Sequence, residues 1–196
     1  MCSSSGSPLA RSREEERVRF VSFPGRYAIG FSLLALALRM GGPVSAGEDV
    51  TASAAFETLK SLDGRWEDTS TSEDGALGLV EIRVSAAGHT ILQTDFPGTS
   101  REMITAYPLD GADLVRKHYC VMGNQPEMRL DVESSTPSVL RFVFAGGTNL
   151  DPAKDIHVHN GEIRILDDDR IEAVWAVHGN GKKTGTNEFF LKRKEE

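Results

Sequence analysis

Apolar and polar residues alternate in short runs along most of the chain, from about residue 65 to residue 193. This alternation is typical of β-strands with one buried face, because successive side chains of a strand point to opposite sides. Turn-forming pairs such as Pro97-Gly98 and Gly123-Asn124 separate the runs. The pattern predicts ten strands, at 65–70, 79–85, 90–96, 102–108, 113–121, 127–133, 138–145, 156–166, 170–178 and 184–193.

A helical periodicity precedes the first strand. Thr51 is a predicted N-cap, and apolar residues follow it at helical spacing until Asp63-Gly64 ends the pattern. One short amphipathic helix is therefore expected. Its apolar positions are Ala52, Ala55, Phe56, Leu59 and Leu62.

Ten strands joined by tight turns, with no helix between them, predict an all-β antiparallel meander. Closing the meander into a barrel removes its exposed edges, and a split into a two-sheet sandwich is the alternative. Short hairpin connections favour closure with an up-and-down topology. We therefore predict an up-and-down barrel of about ten strands, preceded by one short N-terminal helix.

The first predicted strand opens with Gly64-Arg65-Trp66, and the last ends with Lys192-Arg193. This arrangement resembles lipocalin-like barrels. In those barrels a Trp at this place plugs one end and packs against a basic side chain from the final strand. The resemblance implies structural roles for Gly64, Trp66 and one of the two basic residues, with Arg193 as the candidate.

Residues 1–46 have the pattern of a secretory signal peptide. Arg26 precedes the apolar run 28–38, and Pro43-Val44-Ser45-Ala46 then supplies a small-x-small cleavage site. The run is shorter than the roughly 20 residues that span a bilayer, so no stable membrane anchor is expected after cleavage. A short interior helix of a longer domain is the alternative. Residues 47–196 are then the lipocalin-like barrel domain of a secreted or periplasmic protein.

The charge of residues 47–196 argues against some classes of binding partner. The whole chain carries 22 Lys and Arg against 29 Asp and Glu, and the leader accounts for six Arg and three Glu. The mature part therefore has a formal charge of −10, which argues against nucleic acid and anionic membranes as partners. Cys120 is its only cysteine, so no internal disulfide is expected.

Several short motifs resemble a family of uncharacterised exported bacterial proteins with a lipocalin-like, or calycin, fold. The similarity extends from about residue 56 to residue 194, and it implies a calycin barrel and a signal peptide. It implies no established activity. The motifs are Phe96-Pro97-Gly98-Thr99, His118-Tyr119-Cys120, Gly123-Asn124-Gln125-Pro126, Gly147-Thr148-Asn149-Leu150-Asp151 and His157-x-His159.

Two histidines dominate the candidate chemistry. If 156–166 is one strand, alternation places His157 and His159 on the buried face with Ile163 and Ile165. Asn160-Gly161 is a favoured hairpin turn that would split this strand. We predict a continuous strand, because 156–159 is too short to pair alone and the Asp167–Asp169 run offers a better turn.

His118 and Cys120 share one face of the strand that ends near residue 121, and we expect that face to be inward. Barrel pockets combine an apolar lining with a few polar groups, so we predict binding of a small, partly apolar molecule. The alternative is a barrel filled by the same side chains that acts only through its surface. The predicted ligand-binding residues are His118, Tyr119, Asn124, Gln125, Asn149, His157, His159 and Trp175, with Ile163, Ile165, Phe189 and Leu191 as further lining.

A metal-dependent enzyme is the second interpretation. Imidazoles two residues apart on a strand can chelate one ion when a third ligand comes from another strand, so His118, His157 and His159 could hold Zn²⁺ with Cys120 as a fourth ligand. We do not favour it, because His-x-His is common and no carboxylate is placed to orient the ligands. A nucleophilic Cys120 lacks a third, orienting residue. The cofactor, if any, is therefore unknown.

Overall fold

A computed structural model describes residues 50–70 and 78–195. In these ranges the chain forms one α-helix, one 3-10 turn (Ala86–Gly88) and ten strands, so the predicted elements are confirmed, with ends that differ by a few residues. The elements are α1 (Ala52–Ser61), β1 (Gly64–Asp68), β2 (Leu79–Ser85), β3 (Thr90–Asp95), β4 (Met103–Asp110), β5 (Asp113–Tyr119), β6 (Gln125–Leu130), β7 (Val139–Thr148), β8 (His157–Asp167), β9 (Arg170–Gly179) and β10 (Lys182–Arg193).

The ten strands close into a single antiparallel barrel. Each strand pairs with the next one along the chain, and β1 pairs with β10 through the register Trp66↔Arg193. The predicted up-and-down topology is therefore confirmed. Closure gives every strand two hydrogen-bonded neighbours, which removes the edges at which an open sheet would aggregate.

The helix α1 covers one end of the barrel. Thr51 is its N-cap, as predicted, and its hydroxyl accepts a hydrogen bond of 3.1 Å from the Ala54 N–H. The apolar face of α1 is buried against the barrel interior, and Leu59 shares a small internal cavity with Ile171 and Leu191. This end of the barrel is therefore filled by side chains.

Trp66 and Arg193 fasten that end of the barrel. The Trp66 side chain is fully buried, and its indole N–H donates to the Leu62 carbonyl at 2.9 Å. The Arg193 guanidinium lies 4.3 Å from the centre of the Trp66 ring and donates to the Asp63 carbonyl at 2.8 Å. The last strand is thereby tied to the C-terminal end of α1.

The contact between Arg193 and Trp66 requires a glycine at position 64. The φ angle of Gly64 is +139°, a conformation that side-chain-bearing residues rarely adopt. A Cβ atom here would lie 2.7 Å from Nη1 of Arg193. The glycine therefore lets the guanidinium reach the Trp66 ring.

Strand β8 runs through Asn160-Gly161 without turning, which confirms the continuous strand. The register with β9 shifts between Val158 and Gly161, so β8 contains a bulge at this point. A Cβ atom on Gly161 would overlap the Trp175 ring, and the Asn160 side chain accepts a 2.8 Å hydrogen bond from the Phe144 N–H. The Asn-Gly pair therefore serves close packing between strands instead of a hairpin.

The leader interpretation concerns residues 1–46, which lie outside the described residues. Within the described ranges, none of the helical segments combines the length and the apolar character needed to cross a bilayer.

Candidate ligand-binding cavity

A cavity of about 230 Å³ lies inside the barrel, towards the end opposite α1. Most of its wall is apolar, with a few polar side chains contributed by different strands. The lining residues are Gln93, Asp95, Met103, Arg116, His118, Cys120, Val121, Met122, Ile156, His157, Val158, Trp175, Val177, Asn187 and Phe189.

The cavity reaches the surface between two loops. Val121 and Met122 follow β5 and Ile156 precedes β8, and these side chains line the cavity while remaining 53%, 60% and 54% exposed. Large apolar side chains that are half in water form an apolar rim around an opening. The cavity is therefore open to solvent at this rim.

A second, much smaller cavity of about 20 Å³ lies deeper, next to α1. It shares Gln93, Asp95, Trp175 and Phe189 with the larger one, so the two are neighbours. Four of the predicted lining residues lie along one or both cavities: Ile163, Trp175, Phe189 and Leu191. Ile165 packs against the core instead.

Arg116 is the principal charge in the cavity wall. Arg116 is only 2% exposed. The guanidinium stacks on the Trp175 ring, and the central carbon of the guanidinium lies 3.7 Å from the ring centre. One guanidinium nitrogen lies 3.6 Å from the Met128 sulfur, and Nε has no hydrogen-bond partner. Within the described residues, no carboxylate lies within the 4.0 Å limit of an ion pair with Arg116.

Asp95 is the acidic group of the same cavity. Burial raises the pKa of its carboxyl, although the hydrogen bond from Gln93 at 2.7 Å and the Arg116 charge act in the opposite direction. Gln93 in turn accepts a 2.8 Å hydrogen bond from the Tyr107 hydroxyl. Asp95 is therefore held in a network on the β3–β4 wall.

His118 lies on the inward face of β5, as predicted, and is 3% exposed. Its Nδ1 is hydrogen-bonded to the Thr105 hydroxyl at 2.8 Å. Burial, assisted by the nearby Arg116 charge, lowers the pKa of His118 to about 3. The imidazole is therefore neutral at physiological pH, and its second nitrogen forms no hydrogen bond with any of the described residues.

His157 also lines the cavity, but His159 does not. Nδ1 of His157 donates to the Asp155 carbonyl at 2.9 Å, so a neutral His157 accepts at Nε2 from Nδ1 of His159, 3.1 Å away. The His159 ring stacks between Phe144 and His178, with ring centres 4.2 and 3.8 Å away. Burial and the neighbouring His178 and His157 lower the pKa of His159 to about 4.

The bulge in β8 explains this difference. It falls directly after Val158, so the simple alternation that placed both imidazoles in the pocket ends there. The shared inward face predicted for His157 and His159 is therefore only half right. The His157 side chain is 2% exposed and lines the cavity, whereas His159 leans towards His178.

The three predicted metal ligands do not converge. His118 is bonded to Thr105, and His159 is engaged by His157 and by the stacked rings. Over residues 50–70 and 78–195, no group of three or more His, Cys, Asp and Glu side chains is arranged to hold a metal ion. Cys120 lines the cavity as a free thiol, and the imidazoles of His118 and His157 bond to other groups.

Four further predicted binding residues lie outside the cavity. Tyr119 is 47% exposed because alternation along β5 turns it outward. Asn124 is buried, and its side-chain amide donates to the Ile156 carbonyl at 2.9 Å. Gln125 accepts hydrogen bonds from Thr148 and from Asn149. Asn124 therefore links the two rim loops, while Gln125 and Asn149 stabilise the loop after β7.

Arg116 and Asp95 were missed as site residues. Arg116 shares the face of Leu114, His118 and Cys120, and a charged residue amid an inward apolar face was the available signal. Asp95 gave a weaker signal, because an acidic residue at the end of a strand is usually solvated.

The fold and the cavity define this chain as a closed ten-stranded antiparallel barrel with an internal pocket that carries a buried arginine. Comparison with protein-family profiles and with curated proteins finds no match.

Proposed function

We propose that this protein is an exported, lipocalin-like barrel that binds a small, partly apolar molecule in its interior. The observation that carries the proposal is the cavity of about 230 Å³ behind an apolar rim. Small closed barrels fill their interiors with side chains, and a space of this size forgoes packing contacts that would stabilise the fold. A space that a fold keeps open at this cost is best explained by a guest.

The composition of the wall supports the same conclusion. Trp175, Val177 and Phe189 supply apolar surface, while Arg116 and His118 supply polar groups that are buried and fixed. Ligand pockets combine these two kinds of surface, the first for affinity and the second for orientation. A barrel that acts only through its exterior has no use for a buried guanidinium inside.

Export is the second part of the proposal. It is supported by the pattern of residues 1–46, with Arg26, the apolar run 28–38 and the small residues up to Ala46. Binding of a poorly soluble molecule outside the cytoplasm fits a barrel that encloses its guest. The acidic character of residues 47–196 keeps such a carrier soluble.

The proposal predicts that blocking the cavity abolishes binding. Val177→Trp places a large ring in the cavity, so residues 47–196 with this change should bind neither octanoate nor 1-octanol. Isothermal titration calorimetry on the unchanged domain should show one site for at least one of the two. Circular dichroism and a cooperative unfolding transition establish that the variant is folded.

Val132→Trp is the matched control, because Val132 is 43% exposed and does not line the cavity. It should bind as the unchanged domain does. If the unchanged domain bound neither probe, or if Val177→Trp bound them normally, the proposed interior site would be wrong.

A further inference from the structure

We infer that the guest is an apolar monocarboxylic acid whose carboxylate is held by Arg116. This inference rests on the proposed function, and it adds the chemical class and the orientation of the ligand. It is carried by a buried guanidinium that faces the cavity without an anionic partner in the described residues.

Arg116 places a buried positive charge in the cavity wall. A guanidinium stays protonated in proteins, and burying one without a counter-charge is strongly unfavourable. Arg116 is 2% exposed, its Nε has no hydrogen-bond partner, and within the described ranges no carboxylate reaches it within 4.0 Å. An anion in the cavity would give the guanidinium the ion pair that none of the described carboxylates forms with it.

The Arg116 guanidinium is held in one orientation by its neighbours. The Trp175 ring lies 3.7 Å from the guanidinium carbon, and the Met128 sulfur contacts one terminal nitrogen. These contacts fix the plane of the fork before any guest arrives. A planar fork matches the two oxygens of a carboxylate, so little side-chain freedom is lost on binding.

Asp95 and His118 are two other ionisable residues in the cavity wall. Asp95 forms no ion pair with Arg116 within 4.0 Å, and burial raises the pKa of its carboxyl while the Arg116 charge lowers it. His118 is neutral because burial and Arg116 lower its pKa to about 3. The Arg116 guanidinium therefore has no ion-pair partner within 4.0 Å among the described residues, so it is open to a monoanion in the cavity, and His118 offers a neutral hydrogen-bonding nitrogen in the same wall.

The hydrocarbon chain of the acid would lie towards the apolar rim of the cavity. The wall of the cavity changes from Arg116 and His118 inside the barrel to Val121, Met122 and Ile156 at its rim. An acid that enters with its carboxylate first leaves its hydrocarbon chain against these rim residues. The cavity volume of about 230 Å³ exceeds the roughly 150 Å³ of an apolar cavity that holds benzene, so it has room for a hydrocarbon chain of medium length.

Calorimetry with octanoate and 1-octanol tests the inference, because the two probes share a chain and differ in charge. The unchanged domain should bind octanoate more tightly than the alcohol. Arg116→Met removes the charge, keeps an apolar stem and should weaken octanoate binding by roughly 30- to 100-fold. Binding of 1-octanol should change by less than about threefold, since it makes no charge-assisted bond.

Lys117→Met is the matched control. Lys117 is the neighbouring cation, but it is partly exposed and lies 3.7 Å from Glu127 on the adjacent strand. Its loss should leave both affinities unchanged. Equal affinity of the unchanged domain for acid and alcohol, or equal weakening of both probes by Arg116→Met, would overturn the inference and leave the proposed cavity intact. Binding of neither probe would contradict the proposed function as well.

A second measurement needs no variant. In [1-¹³C]octanoate the carboxyl chemical shift reports protonation, and a carboxylate beside Arg116 should keep its charge to lower pH than free octanoate. A bound acid that titrates at the same pH as the free acid, or at a higher pH, would place the carboxyl away from the guanidinium. That result would overturn the inference even if Arg116→Met failed to fold.

Discussion

Two side chains on β5 respond to burial in different ways. Arg116 keeps its charge inside the barrel, since a guanidinium does not lose its proton in proteins, whereas the pKa of His118 falls to about 3. His118 is stabilised as a neutral hydrogen-bonding group by Thr105. The buried imidazole is therefore linked to the pH dependence of folding.

His118 should make the protein less stable in mild acid. Its folded pKa is below the unfolded value of about 6.5, so its contribution is full above that pH and falls as the pH is lowered towards 3. Between pH 7 and pH 5 the unchanged domain should lose about 2 kcal/mol more stability than His118→Gln. Urea unfolding followed by tryptophan fluorescence measures both.

The control is His89→Gln, because His89 is exposed. Its pH dependence should follow that of the unchanged domain. Parallel stability curves for the unchanged domain and His118→Gln from pH 7 to pH 5 would show that His118 is not buried as described.

For individual residues, the sequence predicted which face of a strand a side chain occupies better than it predicted the hydrogen-bond or ion-pair partners of that side chain. Alternation placed His118, Cys120 and Trp175 inward, and the structure agrees. It could not predict that Arg116 lies inside without an ion pair, because the positions of carboxylates on other strands depend on register. It also misplaced Gln125 and Asn149, whose side chains bond to loop neighbours.

Among the elements, β8 shows how a local turn signal is overruled. Asn160-Gly161 favours a hairpin turn, yet here the pair lies inside an eleven-residue strand. The glycine permits the Trp175 ring to lie on the backbone, and the bulge next to it leaves His157 in the cavity wall while His159 lies outside it. Continuity of β8 was predictable from the length of the flanking runs. The bulge was not, because it depends on contacts with β9.

The glycine in β8 should tolerate no side chain. Gly161→Ala brings a methyl group into the Trp175 ring, so we expect a loss of at least about 2 kcal/mol in unfolding free energy and an altered near-ultraviolet circular dichroism signal from tryptophan. Gly185→Ala is the matched control, because a Cβ at Gly185 meets no atom within 4 Å. It should change stability by less than about 0.5 kcal/mol. Equal stabilities of the two variants would argue against the close packing of β8 on Trp175.

For the whole molecule, the sequence predicted the architecture because the topology is local. Each strand pairs with its chain neighbour, so short turns and alternation together define the barrel. Whether the interior is open could not be predicted, because cavity volume is the small difference between the space enclosed by ten strands and the side chains that fill it. Leu59 and Trp66 fill one end, and the cavity remains at the other.

A crystal of residues 47–196 soaked with 8-bromooctanoate would show whether the barrel interior takes an apolar acid. The bromine marks the chain end by anomalous scattering. We expect one strong bromine peak near the rim formed by Val121, Met122 and Ile156, with carboxylate density beside Arg116. Bromine peaks confined to the outer wall, with side chains filling the interior, would contradict the binding of an apolar acid inside the barrel.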